Sequence, residues 1–571
     1  MCEFPVQYDR AVERRLCPLA GLPDELFELI IIHLLPADCL AFGATCRRTN
    51  KITYEPLVWR RHCVQTYRYW ESHHGLAEKL AQPPAQTKWQ LLFKKRQQTD
   101  MFIAETFEAL LDSQKDRIDR MEQIARLGYD AKDFLVRQRD ETGDSAEDVL
   151  ARRFHADAIL GQIHRATALE KWDRLHKRQM VRLEEALGAY DLFVLAGHRG
   201  DLNDISTEFD RIAAAIRARD TEFDMLSIRR KAIQIAKHLR AEHLVGNSSS
   251  EDYHALRNNF ISMALFEPPH TSLPLQSVAI YCAVARRLGV NAKPSNYPHH
   301  VHAVIEAPAH TSLDGIAREP YTYHDDFSHE ASSDDGSKET MHMDPWRSAE
   351  ETPLSQLTGR LSQMGAPANQ HLQHLGAASN FDIALRTGRN LMNSVQEARD
   401  RLRHGTPAQA YPDTESAWYA MLWSMLILGD TTPASTLHRR RQCLPYLIEH
   451  FQHHFPHDLG LVERLVLPMF VHERESAILT QLITHARIAD ATPRAPSYRP
   501  KTEELRKWLI PGVGGVAHRI GTLFKHRRYG YEGMIVGWDV NCSAEQRSIE
   551  QTGVDDLPNG REQPFYNVVL V

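Results

Sequence analysis

The 571-residue sequence lacks several features that would assign it to a special class of protein. It has eight cysteines but no C-x-x-C pair, so their spacing indicates neither a zinc ribbon nor a dense disulfide framework. Its longest apolar runs, such as residues 26–35, are too short to span a membrane, and its N-terminus has no signal-peptide core. Neither charge sign dominates, because 68 Lys and Arg face 74 Asp and Glu. We therefore expect a protein of the cytoplasm or nucleus without a membrane partner.

The composition is that of an ordinary folded chain with several domains. Hydrophobic residues make up 42% and charged residues 25%, close to the averages of globular proteins. The length corresponds to about four domains of roughly 150 residues. Helical periodicity predominates from Leu22 to about Ile488, and a Gly-rich segment with strand-like alternation follows. The sequence predicts a multidomain, mainly α fold: an N-terminal three-helix module, a central α+β domain with a helical extension, and a small C-terminal β-barrel.

The N-terminal module is recognised by its helix starts and its apolar spacing. Three prolines each suit the first turn of a helix: Pro23, Pro36 and Pro56. In the first helix an apolar residue recurs every four positions: Leu26, Ile30 and Leu34. In the second helix three residues are expected to face inward: Leu40, Phe42 and Ala44. Three helices within about 45 residues bury little apolar surface, so we expect a partner to cover the apolar stripe.

This segment resembles the F-box. The resemblance rests on an opening Leu-Pro, the Leu-x-x-x-Ile-x-x-x-Leu stripe, a central Cys-Arg-Arg and a closing Leu-x-Trp-Arg. It implies docking on the Skp adaptor of cullin-based ubiquitin ligases, with Leu22-Pro23 and Trp59 as expected anchors. The matching positions are Leu22, Pro23, Leu26, Ile30, Leu34, Leu40, Cys46, Leu57 and Trp59. The alternative is an ordinary helical cap packed on the rest of the chain.

The centre of the chain predicts a helix that starts near a histidine-bearing strand. A loop ends at Pro274, a helix runs to Leu288 with Gly289 as its stop, and a short strand lies around His302 to Ile305. A nucleophilic thiol or hydroxyl at such a helix start is activated by the helix dipole and the imidazole. The helix start carries no cysteine; its polar residues are Ser272, Gln276 and Ser277. Cys282 lies about two turns further on in an apolar row, where a thiol is expected to be core packing.

This region is similar to the SirB-type transglutaminase-like domain. The matching segments are Pro274-Leu275, residues 285–289, Pro298-His299-His300 and Asp344-Pro345-Trp346, and Arg389-Asn390-Leu391 lies at a recurring position of the extension. Catalytic relatives use a Cys-His-Asp triad, and only His300 (or His302) and Asp344 match it here. The resemblance implies a degenerate, structural or peptide-binding domain. The alternative is a cysteine-independent hydrolase built on His300 and Asp344.

Histidines further along the helical extension raise the question of a metal. Four of them fall on one short stretch: His450, His453, His454 and His457. No cysteine or carboxylate accompanies them at ligand spacing and no H-E-x-x-H occurs, so a solvated or partly packed face is expected. We expect no metal and no cofactor.

The C-terminal segment predicts two strands around a Tyr-Gly-Tyr turn and a third strand that begins at Pro564. It resembles the YccV-type, or hemimethylated-DNA-binding, domain. That family continues beyond the third strand, whereas this sequence stops at Val571, so the resemblance leaves open a truncated barrel. The matching positions are His526, Arg528, Tyr529, Gly530, Tyr531, Gly533, Gly537, Trp538, Asp539, Gln563, Pro564, Phe565 and Tyr566.

The basic residues of this segment form a small footprint. The run from Lys525 to Arg528 offers four basic groups, few against the phosphate contacts of strong DNA binders. Because the hairpin is rich in Tyr and Trp, which interfaces favour, we expect a protein-binding surface, or a plain solvated turn, rather than strong binding of duplex DNA. The alternative is a DNA-binding or chromatin-associated regulator.

The order of the three resemblances is itself similar to the F-box only protein twenty-one type. It implies a non-catalytic substrate receptor of an SCF ubiquitin ligase, with the Skp adaptor, cullin through it, and an unidentified target protein as partners. The expected domains are an F-box at 18–66, a helical linker region at 67–179, the transglutaminase-like domain at 180–400 with an insertion at 324–340, a helical extension at 401–490, a linker at 491–518 and the YccV-like domain at 519–571.

Overall fold

The computed structural model describes most of the chain. The described residues are 22–113, 115–144, 146, 148–246, 253–317, 338–404, 411–430, 432–492 and 518–570, the last range without 519, 528, 529, 540, 541, 543, 545–548 and 550–552. The chain divides into two compact units, Met1–Ala156 with Pro493–Val571, and Asp157–Thr492. Within the described ranges, no helix has both the length and the apolar composition needed to cross a bilayer.

The fold is mainly helical, as the sequence predicts. The α-helices up to residue 176 are α1 (Asp24–Ile31), α2 (Pro36–Gly43), α3 (Arg47–Thr53), α4 (Pro56–Thr66), α5 (Leu76–Ala81), α6 (Trp89–Asp112), α7 (Arg117–Ala125), α8 (Lys132–Asp140) and α9 (Val149–His176). Those that follow are α10 (Leu183–Val194), α11 (Leu202–Arg219), α12 (Ile228–Ala241), α13 (Ile261–Phe266), α14 (Pro274–Arg287), α15 (Leu354–Gln363), α16 (Ala368–Leu375), α17 (Asn380–Arg403), α18 (Thr414–Leu428), α19 (Pro433–His454), α20 (Leu459–Leu461) and α21 (Glu475–Ala491).

The first helices begin where the prolines predict, and one short helix was not expected. Pro23 lies at the N-cap of α1, and Pro36 and Pro56 are the first residues of α2 and α4. Helix α3 begins after Cys46, whose Sγ accepts from the Thr49 amide at 3.5 Å while the Thr49 hydroxyl accepts from the Cys46 amide at 3.2 Å. This reciprocal cap satisfies two amides of the first turn, which explains the additional helix.

The prediction that Leu40 and Ala44 face inward is wrong. Both are exposed, whereas Cys39 is buried and Phe42 packs against the core from the same helix. Helix α2 is only two turns long and one face of it suffices for packing. Its core contacts are therefore made from the face of Cys39 and Phe42, which leaves Leu40 on the surface.

Trp59 lies in the interior of the N-terminal module. It is 2% exposed, its Nε1 donates to the Thr53 carbonyl at 2.7 Å, and its ring packs against Phe93 with centroids 5.4 Å apart. Phe93 belongs to α6, so residues beyond the F-box segment complete the core. The expected interface anchor is therefore a structural residue of the isolated chain.

The second unit contains a four-stranded antiparallel sheet beside a buried helix. Its strands, in the order β1-β2-β3-β4, are Asn291–Pro294, Ala303–Glu306, Thr340–Met343 and Glu351–Thr352. Helix α14 starts at Pro274 and ends before Gly289, which has φ +76°, a conformation that only glycine adopts freely. The expected insertion at 324–340 ends earlier than predicted because Thr340 pairs with Glu306 in the sheet; residues 324–337 lie outside the described residues.

The C-terminal segment contains a three-stranded antiparallel sheet in the order β5-β6-β7, formed by Leu523–Lys525, Glu532–Asp539 and Phe565–Leu570. The predicted strands on either side of the Tyr-Gly-Tyr turn and the third strand after Pro564 are thereby confirmed. A register shift interrupts the β6–β7 ladder between Ile535 and Gly537. At Gly533 a Cβ atom would lie 2.8 Å from the Val569 carbonyl oxygen, so the close approach of β6 to β7 at this position requires glycine.

We expect Trp59→Phe to lower the stability of the N-terminal module by about 1 to 3 kcal/mol, since it removes buried volume and the hydrogen bond to Thr53. Leu57→Ala, at a neighbouring position that is 54% exposed, should change it by less than about 0.5 kcal/mol. Hydrogen exchange of the α4 and α6 amides under mild urea measures this local stability. Equal loss of protection in the two variants would contradict the buried position of Trp59.

Candidate functional site

Helices α1, α2 and α4 expose apolar side chains on the N-terminal module. We call these residues the apolar surface: Leu26, Leu29, Ile30, Leu40 and Leu57, which are between 44% and 58% exposed. Leu29 and Leu57 line one groove of about 810 Å³ between α1 and α4, and its lining also includes Glu25, Glu28, Arg60 and Arg61. Exposed apolar groups surrounded by charged ones are typical of a protein interface.

The other predicted adaptor positions support or flank this surface. Pro23 and Cys46 are exposed, whereas Leu22 and Leu34 are half-buried against the core. Arg48 ties α3 to the start of α1, because its guanidinium pairs with Asp24 at 2.7 Å and lies 4.9 Å from the Phe27 ring centroid. Of the nine positions, Trp59 alone is fully buried.

In the second unit, the structure brings together the two predicted triad positions. His300 ends the turn before β2 and Asp344 follows β3, and the register that pairs Ala303 with Met343 places them side by side. His300 Nε2 lies 2.8 Å from Asp344 Oδ2. Burial opposes ionisation of Asp344, but the His300 hydrogen bond and the nearby charges of His300, His302 and Arg347 together outweigh it, and the pKa of the carboxyl falls below its usual value. The pair has the geometry of an oriented base.

The start of α14 offers this base no free nucleophile. The hydroxyls of Ser272 and Ser277 bond to each other at 2.7 Å, and the Gly246 amide donates to Ser277 Oγ at 3.0 Å. Trp346 Nε1 donates to the Ser272 carbonyl at 2.9 Å, and its ring lies edge-on to His300 with centroids 5.7 Å apart. The two serines and Gln276 are completely buried. They serve as internal polar contacts.

Cys282 lies in the core, as the sequence predicts. It is 5% exposed in the middle of α14, and burial raises the pKa of its thiol far above the usual value. A thiol in this environment stays protonated at neutral pH.

His302, the second candidate histidine, is buried and directly precedes β2. It is 1% exposed, and neither ring nitrogen has a hydrogen-bond partner among the described residues. Its Nε2 is 3.9 Å from Asp344 Oδ2, beyond hydrogen-bond range. Desolvation lowers the pKa of His302 to about 4, so the ring is neutral at pH 7.

A cleft of about 510 Å³ opens beside the start of α14, and we call it the α17 cleft. One wall comes from the start of α14 and another from α17. Its lining residues are Tyr253, His254, Leu273, Pro274, Leu275, Pro298, His299, Val301, Arg386, Arg389, Asn390 and Asn393. The sequence signal that could have found its polar wall is the spacing of Arg386, Arg389, Asn390 and Asn393 along one face of α17.

In the helical extension, the structure brings Glu415 to the histidine stretch, which the sequence spacing did not predict. His450 Nε2 lies 2.9 Å from the Glu415 carbonyl oxygen and its Nδ1 3.7 Å from the carboxylate. Arg399 donates to the same carboxylate at 2.7 Å, and the rings of His450 and His454 stack. A guanidinium already neutralises this carboxylate, and His450 is core packing.

The C-terminal motif forms a hairpin whose charges partly cancel. Lys525 Nζ lies 2.9 Å from Glu532 Oε1 on the neighbouring strand. The His526 and Tyr531 rings stack with centroids 4.6 Å apart across the turn at Gly530, and Asp539 is buried. Gln563 donates to the Gly560 carbonyl, and Pro564, Phe565 and Tyr566 are half-buried. Arg528, Tyr529 and the Trp538 side chain lie outside the described residues.

Three family models match the chain. They are an F-box-like model over residues 19–65, a transglutaminase-like superfamily model over 203–389 and a model of YccV-like hemimethylated DNA-binding proteins over 516–571. The chain carries these three domains. The domain order predicted from the sequence is thereby confirmed.

Curated relatives match only parts of the chain. F-box only protein 21 of Homo sapiens and of Mus musculus are each 46% identical over 55 residues, which is 10% of this chain and 9% of each relative. F-box/WD repeat-containing protein 5 of Rattus norvegicus is 25% identical over 206 residues, 36% of this chain and 32% of that relative. No solved structure matches the chain.

We expect the stability of the second unit to fall as pH is lowered from 6.5 towards 4, by up to about 3 kcal/mol from His302 alone. The unfolded chain binds a proton at His302 near pH 6.5, whereas the folded chain resists protonation until about pH 4. His302→Phe should flatten this part of the pH dependence, and His299→Phe, at an exposed neighbour, should not. Urea unfolding between pH 7 and 4 measures the slopes; identical slopes in wild type and His302→Phe would contradict this.

Proposed function

We propose that the protein is the substrate-recognition subunit of an SCF-type ubiquitin ligase. Its F-box binds the Skp adaptor and, through it, the cullin, while the downstream domains hold a target protein. Such an assembly accelerates ubiquitin transfer by proximity. The subunit itself needs no cofactor for this role.

The observation that carries the proposal is the apolar surface. The N-terminal module has its own buried core, completed by Trp89 and Phe93 of α6, yet α1, α2 and α4 still expose Leu26, Ile30, Leu40 and Leu57. These four residues are adaptor positions of the F-box pattern. Burying them against an adaptor removes apolar area from water at about 25 cal/mol per Å².

The central domain is proposed to bind rather than to catalyse. His300 and Asp344 form a well-oriented pair, but the serines at the start of α14 bond to each other and to backbone, and Cys282 is buried within the helix. A general base without a nucleophile or a substrate proton within reach performs no acyl transfer. This argues against the hydrolase alternative.

The C-terminal domain is proposed to contribute protein contacts. Its resemblance to hemimethylated-DNA-binding proteins makes DNA binding the rival function. Lys525 is paired with Glu532, and Arg561 with Asp555 at 2.7 Å, so these cations are already neutralised. Strong duplex binding needs several uncompensated cations facing phosphates.

We expect the triple variant Leu26→Ala, Ile30→Ala, Leu57→Ala to bind purified Skp adaptor at least about thirtyfold more weakly than wild type, as for interface hot spots. The fold should be retained, because these side chains are exposed. Met101→Ala, a change at a 59% exposed residue of α6, is the matched control. Isothermal titration calorimetry of the full chain gives both affinities. Unchanged affinity of the triple variant would refute adaptor docking at this surface.

Thiol labelling tests the absence of a cysteine nucleophile. Cys46 is exposed and its pKa is lowered by the hydrogen bonds from Thr49, whereas Cys282 is buried with a raised pKa. We expect iodoacetamide to label Cys46 at least about a hundredfold faster in the native protein, because Cys282 reacts only after local unfolding. Site-resolved mass spectrometry gives both rates. Comparable rates would reveal a reachable thiol at Cys282 and favour an enzyme.

A further inference from the structure

The α17 cleft has a polar wall that comes from one face of a single helix. Arg386, Arg389, Asn390 and Asn393 are spaced by three, four and seven residues along α17, so their side chains project in the same direction. Tyr253, Leu273, Pro298 and Val301 provide apolar surface in the same cleft. The combination of convergent polar groups with apolar walls is typical of a binding site.

Neither guanidinium of this wall forms an ion pair within the described part of the chain. Arg386 donates to the carbonyl oxygens of Tyr297 at 2.9 Å and Asn296 at 3.1 Å, which are neutral acceptors. Arg389 is exposed, and no carboxylate among the described residues lies within 4.0 Å of it. Most other arginines described in this unit are paired, as Arg399 is with Glu415. The charge of Asp382, one turn before Arg386 on α17, acts on Arg386 from beyond ion-pair distance, so Arg389 is the less compensated of the two cations.

The remaining lining adds no negative charge. None of the twelve lining residues is acidic, and two of them are histidines, His254 and His299. The first turn of α14 also lacks an acidic residue and a side-chain cap, so its positive end is uncompensated on the same side. The positive charge of the cleft comes mainly from the two guanidiniums, and the helix end adds to their electrostatic field.

We propose that the α17 cleft binds a phosphorylated side chain of a peptide segment, and that this segment belongs to the target protein. Guanidiniums match phosphate because their planar donors bond two of its oxygens at once, and a phosphate dianion balances two of them. The amides of Asn390 and Asn393 add neutral donors. The cleft volume of about 510 Å³ is far larger than one phosphate, and its apolar walls suit neighbouring peptide side chains. The part concerning the target rests on the proposed function.

The test uses fluorescein-labelled degenerate peptides with a fixed central phosphoserine, and the same library with Ser, titrated with the full chain by anisotropy. We expect binding of the phosphoserine library only, weakening as salt rises. Arg389→Gln should reduce this affinity at least about tenfold, the effect of losing one charge-assisted hydrogen bond. Arg403→Gln, at an exposed position on the same helix, should leave it unchanged. Arg389 makes no described contact that the fold needs, so its variant should remain folded.

Each outcome decides the assignment. Absence of phosphoserine-dependent binding, or binding that Arg389→Gln leaves unchanged, overturns it. Inorganic phosphate serves as the competitor. If it displaces the phosphopeptide completely and the cleft binds phosphate and phosphopeptide with equal affinity, the cleft is an ion site and the peptide assignment is overturned. Adaptor binding is measured separately on Arg389→Gln and should equal wild type. If the wild-type chain does not bind the adaptor, the ligase role is refuted, but this result does not contradict the phosphopeptide site.

Discussion

The burial of helix α14 is the constraint on which the second unit depends. Every residue from Pro274 to Ala285 is buried, so this part of the helix has no solvent face and its polar side chains can bond only within the protein. Gln276 Nε2 donates to the Asn259 carbonyl, and the Tyr281 hydroxyl donates to the Ala232 carbonyl. These bonds fix the helix against its neighbours. The same burial converts the helix start, where an enzyme would hold its nucleophile, into core.

The N-terminal module differs from the second unit in how its core is completed. A segment of four short helices cannot bury all its apolar side chains, so α6 supplies Trp89 and Phe93 to one side of it. On α1, Leu26 and Ile30 are exposed, while Phe27 and Ile31, each one position further along, are buried. Helix α1 is therefore apolar on two faces, one buried within the chain and one exposed.

That double face explains what the sequence could and could not predict. Prolines 23, 36, 56 and 274 placed the helix starts correctly because proline acts through local backbone geometry. Four-residue spacing does not say which of two apolar faces is the core, so the sequence places Leu40 inside. The F-box resemblance gives Trp59 as an anchor, and nothing in its local spacing indicates that it is buried. Contacts between residues distant in the chain, such as Glu415 with His450, have no local pattern.

The His300–Asp344 pair has a structural reason to exist without catalysis. Asp344 is 4% exposed, and a buried carboxylate that loses its partner costs several kcal/mol. His300 supplies that partner, the Arg347 amide donates to the same carboxylate, and Arg386 holds the loop before His300 through two carbonyls. The pair thus joins β3 to the turn that forms one edge of the α17 cleft. The pair has the geometry typical of a triad, and its structural effect is to fix the turn at the edge of the cleft that we propose as a phosphopeptide site.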